Sequence, residues 1–505
     1  MYHMTTTEQV SVSATPEGSE GASGGRGAKM LRRLSYVLLV LYLAIPVAKL
    51  QSQSGAGDSK TALQSRKLAG LSAVRAGRYD EAETVFKALL VDLRGLQVTD
   101  PEFYRAETAG TLWELGRLYN ATQRIEAAIG VQLELVKIEE EEARLNPSIF
   151  NRMQLEVALS GLGSLYRTLG RAEDAVRVLE EIVKLLRETL AAAPEGGDET
   201  PKQLVMELPV DTARALTSLG ALYRQTNRLG EAERVYQEAV EILREHANQY
   251  RSQRSQQQLA MTLNNFANLY SETNRYIQSE PLYLEALQVR REVAQRSPRD
   301  GAPGLALTLE NLAGVYGRTA RTEEALSLLE EALPIRRQLA GSPLPGGSPE
   351  SYKAQLANLL AALAEIYGDR NEVHKATLFL EEALPVFRKL AGENASQFQP
   401  DLERILIILA ALYGEAKRFD ESNALLDEAI AMVRRLWGEN PDTHGDSLAR
   451  VLISAAGVRM NTHSGEFCPL AQEALSVART PNLKQRAQEI LTRCAEPSIS
   501  PSGTP

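Results

Sequence analysis

The sequence predicts an all-α protein in which helical hairpins stack into a solenoid, preceded by a disordered tail and a single apolar helix. A phrase of the form Leu-Gly/Ala-x-x-Tyr, a turn and then a small residue recurs eight times in the 505 residues, with a dominant period near 46. Apolar positions within each copy follow the helical period, and 44% of all residues are hydrophobic, enough to build large cores. The small residues that open the second helices are Ala82, Ala128, Ala175, Ala232, Ser279, Ala325, Ala376 and Ser422.

The N-terminus differs in composition from the repeats. Residues 1–30 are rich in Thr, Ser, Gly and Glu with almost no aliphatic side chains, so we predict a disordered tail. The apolar run 34–48 lies in a predicted transmembrane or signal helix over residues 31–50. Its length of about 22 Å is short of a hydrocarbon core of about 30 Å, so an uncleaved anchor needs Lys49 to reach the membrane surface. Cleavage as a signal peptide, after Ala48 or Ala56, is the alternative.

Basic residues precede the apolar run without an intervening acidic residue, namely Arg26, Lys29, Arg32 and Arg33. The positive-inside rule then predicts a cytoplasmic N-terminus and a chain exported beyond it. We therefore expect a single-pass membrane protein, held through residues 34–50, whose solenoid is extracytoplasmic. The alternative is a secreted or periplasmic protein after signal cleavage. Residues 51–61 are predicted to form a linker.

The first helix of each repeat carries a small residue and, three positions later, a tyrosine. The small residue lets the two helices of a hairpin approach closely, and the tyrosine fills the space between them. A single hairpin cannot bury its apolar face alone, so the repeats are expected to stack over residues 62–495. The small residues are Gly116, Gly163, Gly220, Ala267, Ala313, Ala364 and Ala410, and the tyrosines are Tyr119, Tyr166, Tyr223, Tyr270, Tyr316, Tyr367 and Tyr413.

This pattern resembles the tetratricopeptide repeat (TPR) family, with Leu-Gly-x-x-Tyr in the first helix and Ala, a large apolar residue and Ala in the second. The resemblance covers most of the chain and implies a right-handed TPR superhelix that binds protein partners. The period exceeds the usual 34 residues by about twelve, so each helix is expected to be one to two turns longer than standard. With phrases such as TLNNFANLY and TLENLAGVY, the repeats look most like those of kinesin light chains.

The two ends depart from the pattern, as the terminal units of a solenoid do. Ala73 replaces the first tyrosine, and a degenerate ninth unit is followed by a cap helix and a disordered tail at 496–505. If the cap helix turns back at Pro481, Cys468 and Cys494 each lie 13 residues from the turn and face each other. In an exported protein they are a candidate disulfide, and two buried thiols are the alternative.

Composition and motifs argue against catalysis, metal binding and nucleic-acid binding. With 56 basic and 65 acidic residues, the net charge of -9 lacks the basic character of a nucleic-acid binder. The five histidines are scattered without metal-ligand spacing, and the glycine-rich stretch at Gly21 lacks the ending of a phosphate loop. We predict no enzyme, no cofactor and no metal. Acidic pairs such as Glu330-Glu331 and Glu381-Glu382 recur with the period and are predicted to form a solvated face.

The resemblance places ligand-binding positions on the concave wall, along the first helices, where Trp113 and Thr217 also fall. Asparagine carries a donor and an acceptor and can bind an extended peptide backbone, while arginines favour an acidic peptide. The use of asparagines by kinesin-light-chain-like repeats carries over to Asn264 and Asn268. Ordinary solvated polar residues are the alternative. The candidate partner-binding residues are Asn264, Asn265, Asn268, Arg214, Arg224, Arg167 and Arg117.

These observations lead to a functional hypothesis. We expect a non-enzymatic, membrane-tethered scaffold that captures a protein or peptide partner, acidic in character, in its concave groove. The alternative is an exported assembly or secretion factor that organises an envelope complex without binding a linear peptide. No nucleic-acid partner is predicted.

Overall fold

The computed structural model describes residues 56–192, 202–250, 252–344, 348–461 and 467–494. Within these ranges the regular secondary structure is α-helix throughout, which confirms the all-α prediction. The helices are α1 (Ala56–Arg75), α2 (Tyr79–Arg94), α3 (Pro101–Ala121), α4 (Ile125–Leu145), α5 (Ile149–Thr168), α6 (Ala172–Ala192), α7 (Lys202–Gln225), α8 (Leu229–Tyr250), α9 (Gln253–Glu272), α10 (Tyr276–Arg296), α11 (Pro298–Arg318), α12 (Thr322–Gly341), α13 (Pro349–Asp369), α14 (Val373–Glu393), α15 (Ala395–Glu415), α16 (Phe419–Glu439), α17 (Pro441–Asn461), α18 (Phe467–Val477) and α19 (Pro481–Cys494).

The helices pair into hairpins in chain order. In repeats one to nine the odd-numbered helix is the A helix and the even-numbered helix is the B helix, while α19 is a lone cap. The described chain divides into two compact units, residues 56–301 and 302–494. In the first unit each helix from α1 to α10 packs against the next, and the A helices α7 and α9 also touch. In the second unit each helix from α12 to α19 packs against the next, and α15 touches α17.

The predicted segments at the two ends largely fall outside the described residues. This applies to the tail 1–30, the transmembrane or signal helix 31–50 and the tail 496–505. Among the described helices, none has the length and apolarity needed to cross a membrane. Helix α1 begins at Ala56, within the predicted linker 51–61, because no proline separates those residues from the helical pattern.

The turns inside the hairpins close with one backbone motif. The N–H of Arg124 donates to the carbonyl of Tyr119 (2.8 Å), and that of Arg228 donates to the carbonyl of Tyr223 (2.7 Å). The residue before each arginine has a left-handed φ, as at Asn227 (59°). This is the Schellman arrangement, which satisfies the last carbonyls of the A helix and starts the B helix in a fixed direction.

Close helix approach explains the small residue of the A helix. A Cβ built on Gly220 would lie 2.7 Å from the Tyr236 ring, closer than real Cβ contacts allow. At Gly163 the nearest atom, on Val178, is 3.5 Å away, which is ordinary van der Waals contact. Glycine is therefore required at Gly220 but not at Gly163, and alanine takes this place in later repeats.

The predicted tyrosines are buried, and they also connect successive repeats. The Tyr270 hydroxyl donates to Glu233 of the preceding B helix at 2.8 Å. The guanidinium of Arg275 donates to the same carboxylate at 2.7 Å and stacks on the Tyr270 ring, with its carbon 4.2 Å from the ring centroid. Burial and the neighbouring Glu233 carboxylate raise the pKa of Tyr270 to about 12, while the hydrogen bond from Arg275 lowers the pKa of Glu233. We call this arrangement the Tyr–Glu–Arg cluster.

The cluster recurs and gives two of the predicted surface glutamates a structural role. Tyr119 donates to Glu83 (2.9 Å), Tyr223 to Glu180 (2.6 Å) and Tyr413 to Glu381 (2.7 Å), and Tyr367 also donates to Glu330. Glu330 is exposed and Glu381 is half-buried, as expected of surface residues, and each also accepts a hydrogen bond from a tyrosine of the next repeat.

A second row of contacts joins consecutive B helices on the exposed surface. Each arginine places Nη2 2.5 Å from the glutamate carboxylate of the next B helix, and both side chains remain about one-third to one-half exposed. The pairs are Arg187–Glu238, Arg244–Glu285, Arg337–Glu382, Arg388–Glu428 and Arg434–Glu473. We call this row the B-helix ladder.

The glycine contacts generate a matched stability test. Gly220→Ala is expected to lower the free energy of unfolding by about 2 kcal/mol, because the added methyl group overlaps the Tyr236 ring. Gly163→Ala is expected to be neutral or to stabilise by up to about 1 kcal/mol through higher helix propensity. Urea unfolding followed by circular dichroism measures both, and equal effects of the two substitutions would contradict the packing argument.

Candidate functional site

In the first unit the A helices are joined by polar side chains. The hydroxyls of Thr217 on α7 and Thr262 on α9 lie 2.8 Å apart, and Arg254 on α9 donates to Asp211 on α7 at 2.5 Å. Thr217 and Thr262 are buried. These contacts fix the spacing of the A helices along which the predicted binding residues lie.

Arg214, Arg224 and Arg117 are neutralised within the chain. Arg214 pairs with Asp211 at 3.1 Å and has Glu156 at 3.8 Å, and Arg224 pairs with Glu272 of the next A helix. Arg117 pairs with Glu114 at 3.1 Å and stacks on Trp113. Arg167 is exposed at the end of α5. The charges of Arg214, Arg224 and Arg117, which were expected to attract an acidic peptide, are therefore already paired. Their partners are carboxylates one helical turn away or on the next A helix.

The predicted row of asparagines is only partly open. Asn264 is 4% exposed, while Asn265 and Asn268 are half-buried. The Oδ1 atom of Asn268 accepts a hydrogen bond from the Tyr283 hydroxyl on α10. The structure thus differs from the expected row of open amides, because Asn264 lies on the packed side of α9. Asn265 and Asn268 keep some exposed surface.

The B helices contain a position that the sequence analysis missed. Each B helix opens with a small residue, and we give the name position eleven to the residue eleven places after it. In five repeats it is apolar and at most 3% exposed, and in three it is charged. The apolar residues are Leu93, Leu186, Leu243, Phe387 and Val433, and the charged residues are Glu139, Arg290 and Arg336. The repeat register alone could have shown the charges, since each breaks an otherwise apolar column.

Arg336 shows what a charge at position eleven requires. It is 2% exposed, and its Nε and Nη2 donate to the Glu310 carboxylate at 2.6 and 2.8 Å. Its Nη1 donates to Gln355 at 2.5 Å. Glu310 lies on the A helix of the same repeat, 26 residues before the arginine. This bidentate pair supplies the charge and the hydrogen bonds that a buried guanidinium needs.

Arg290 occupies the same position one repeat earlier without that partner. The residue 26 places before it is Asn264, an amide where Arg336 has a carboxylate. Nε of Arg290 is buried with no hydrogen-bond partner, and among the described residues the side chain makes no ion pair. Burial lowers the pKa of Arg290 to about 10, so the group stays charged at neutral pH. Among the described residues, Arg290 is therefore a half-buried cation without a compensating anion.

The two cysteines lie at the C-terminal cap. The structure joins Cys468 of α18 to Cys494 of α19, with Cα atoms 5.9 Å apart. Leu483 and Ala487 are the buried residues of α19, and its other face is largely exposed. A cap helix of this kind closes the last repeat against water.

No cluster of three or more potential metal ligands occurs in the described part of the chain. Among its histidines, His246 is 3% exposed, and its Nε2 lies 2.8 Å from the carbonyl oxygen of Met206. This contact gives His246 a structural role in the packing of α8 against α7.

Stacked A and B helices with a small residue at each crossing define the chain as a helical-repeat solenoid protein. Two sequence models of the tetratricopeptide repeat match it, one over residues 258–338 and the other over 157–193, 212–249 and 404–443. The chain therefore contains tetratricopeptide repeats. Repeats of this family form scaffolds for protein–protein interaction.

Solved structures with similar folds share little sequence with the chain. BtubC (BKLC) from P. vanneervenii is 20% identical over 53% of this chain and 92% of its own, with a TM-score of 0.40. A STAND protein with a tetratricopeptide repeat sensor from Pyrococcus horikoshii is 13% identical over 81% and 54%, with a TM-score of 0.46. PilF of Pseudomonas aeruginosa is 17% identical over 57% and 94%, with a TM-score of 0.35. No curated protein matches the sequence.

The unpaired guanidinium generates a stability prediction. Arg290→Leu is expected to raise the free energy of unfolding by about 1 kcal/mol or more, because it replaces an uncompensated charge with the residue that three other repeats use. Arg336→Leu is the matched control and is expected to lower it by about 3 kcal/mol, since it leaves Glu310 without its partner. Thermal and urea unfolding measure both. A destabilised Arg290→Leu variant would show that Arg290 is compensated.

Proposed function

We propose that this protein is a non-enzymatic scaffold that binds an acidic linear segment of a partner protein along the A helices of residues 56–301. Arg290 carries the proposal. Every other position eleven from repeat three onward is either apolar or, at Arg336, paired with a carboxylate. A partner's carboxylate would give Arg290 the two charge-assisted hydrogen bonds that Arg336 receives from Glu310.

Neighbouring side chains support a peptide ligand. Asn265 and Asn268 lie on α9, the A helix that precedes Arg290, and both keep exposed surface. An amide side chain offers a donor and an acceptor and so matches an extended backbone. The resemblance to kinesin-light-chain-like repeats, which use asparagines in this way, supports the same assignment.

The peptide hypothesis can be tested by selecting ligands for the full chain from a random 16-residue display library. Selected peptides are expected to be enriched in Asp or Glu and to bind Arg290→Gln at least tenfold more weakly than the wild type, because they lose a charge-assisted pair. Arg337→Gln is the matched control, since Arg337 lies on the exposed B-helix ladder. Its binding should change by less than twofold.

A second variant keeps the test independent of folding defects. By the repeat register, Asn264→Glu supplies Arg290 with an internal carboxylate. It is expected to raise the unfolding temperature and to weaken the selected acidic peptides. Acidic peptides that bind wild type, Arg290→Gln and Asn264→Glu equally would contradict groove capture. That outcome would favour the alternative, an assembly factor that binds no linear peptide.

Tethering through residues 34–50 is part of the proposal, with signal cleavage as its alternative. The basic cluster before the apolar run and the Cys468–Cys494 pair both fit an extracytoplasmic solenoid. In sealed membrane vesicles of cytoplasm-inside orientation, external protease is expected to digest the solenoid. Both cysteines should resist alkylation until a reductant is added. Protection from protease together with immediate alkylation would place the solenoid in the cytoplasm.

A further inference from the structure

A second unpaired charge, opposite in sign, lies at position eleven of repeat two. Glu139 on α4 is half-buried and, among the described residues, has no hydrogen bond or ion pair. The same register that pairs Arg336 with Glu310 relates Glu139 to the residue 26 places earlier, Trp113. Trp113 lies on the A helix α3 and is 37% exposed. Repeat two thus combines a carboxylate without a cation and an indole ring that remains open to solvent.

The surroundings of Trp113 suit a cationic side chain. Arg117 of the same helix stacks on the indole, with its guanidinium carbon 4.8 Å from the ring centroid, and donates to Glu114 at 3.1 Å. A Lys or Arg cation is attracted to the face of an aromatic ring, most strongly to that of Trp. Burial, with a smaller contribution from Glu142, raises the pKa of Glu139 to about 7, so a bound cation would favour its ionised form.

We propose that Glu139 and Trp113 bind a basic side chain of the same partner segment whose acidic side chain binds Arg290. This inference rests on the proposed function and adds a direction to it. The basic residue lies towards repeat two and the acidic residue towards repeat five. The partner can therefore lie along the A helices in only one orientation.

The spacing of the repeats sets the spacing of the two charges in the partner. Glu139 and Arg290 lie three repeats apart in the first unit, and packed helices lie about 10 Å apart. Three such steps span about 30 Å, which an extended chain covers in about nine residues at about 3.3 Å per residue. The required motif is a basic and an acidic residue about nine positions apart.

The 16-residue display library described above, selected on the full chain, tests this motif. Selected peptides are expected to contain Lys or Arg and Asp or Glu about nine residues apart, always in the same order. Replacing the basic residue of a selected peptide with Gln is expected to cost about tenfold in affinity on the wild type. When the peptide binds the Glu139→Gln variant, the same replacement should reduce the affinity by less than twofold. Glu140→Gln, at the exposed next residue, is the matched control and should behave as the wild type.

A charge reversal guards against a variant that merely folds poorly. Glu139→Lys is expected to prefer a peptide whose basic residue has been replaced by Glu, by about tenfold over the original peptide. The inference is overturned if the basic residue contributes equally on the wild type and on Glu139→Gln, or if the two charges occur in either order. If acidic residues still depend on Arg290 in that case, the proposed function stands without the orientation. If dependence on Arg290 is also absent, the proposed function fails.

Discussion

The hydrogen bond from a buried tyrosine hydroxyl to a glutamate of the preceding repeat is the interaction on which the architecture depends. It links an A helix to the earlier B helix, and the arginine that begins the following B helix stacks on the same ring. One Tyr–Glu–Arg cluster therefore touches three consecutive helices. Because the clusters recur at equivalent places within each unit, the repeats that they join share nearly the same register.

Because the repeats share this register, the charges at position eleven can be compared from one repeat to the next. In a solenoid the same core position occurs once per repeat. A residue that departs from the pattern can therefore be compared with the residues at that position in the other repeats. Arg336 is the compensated exception, and Arg290 and Glu139 are the uncompensated ones. Partly buried charges without partners reduce stability, and natural proteins retain such groups mainly where they contribute to function.

The repeat pattern predicted the helices, the hairpins and the buried tyrosines, because all of these depend on local sequence and on apolar periodicity. It could not predict the partners of Arg214 and Arg224, since those carboxylates lie on the same face or on a neighbouring helix and depend on side-chain geometry. Arg290 was missed for a related reason. It is followed by Arg291, and a pair of adjacent arginines in an amphipathic helix is typical of a solvated surface. Only comparison across repeats shows that the first of the two occupies position eleven, which is apolar in most repeats.

The B-helix ladder affects the mechanics of each unit. Its arginine–glutamate pairs are partly exposed, and each contributes little free energy on its own. They act in series, however, with one pair between most successive B helices, and salt screens all of them alike. Small losses at every junction add up along the stack. The bending stiffness of each unit should therefore fall as ionic strength rises, even while the buried clusters keep every hairpin folded.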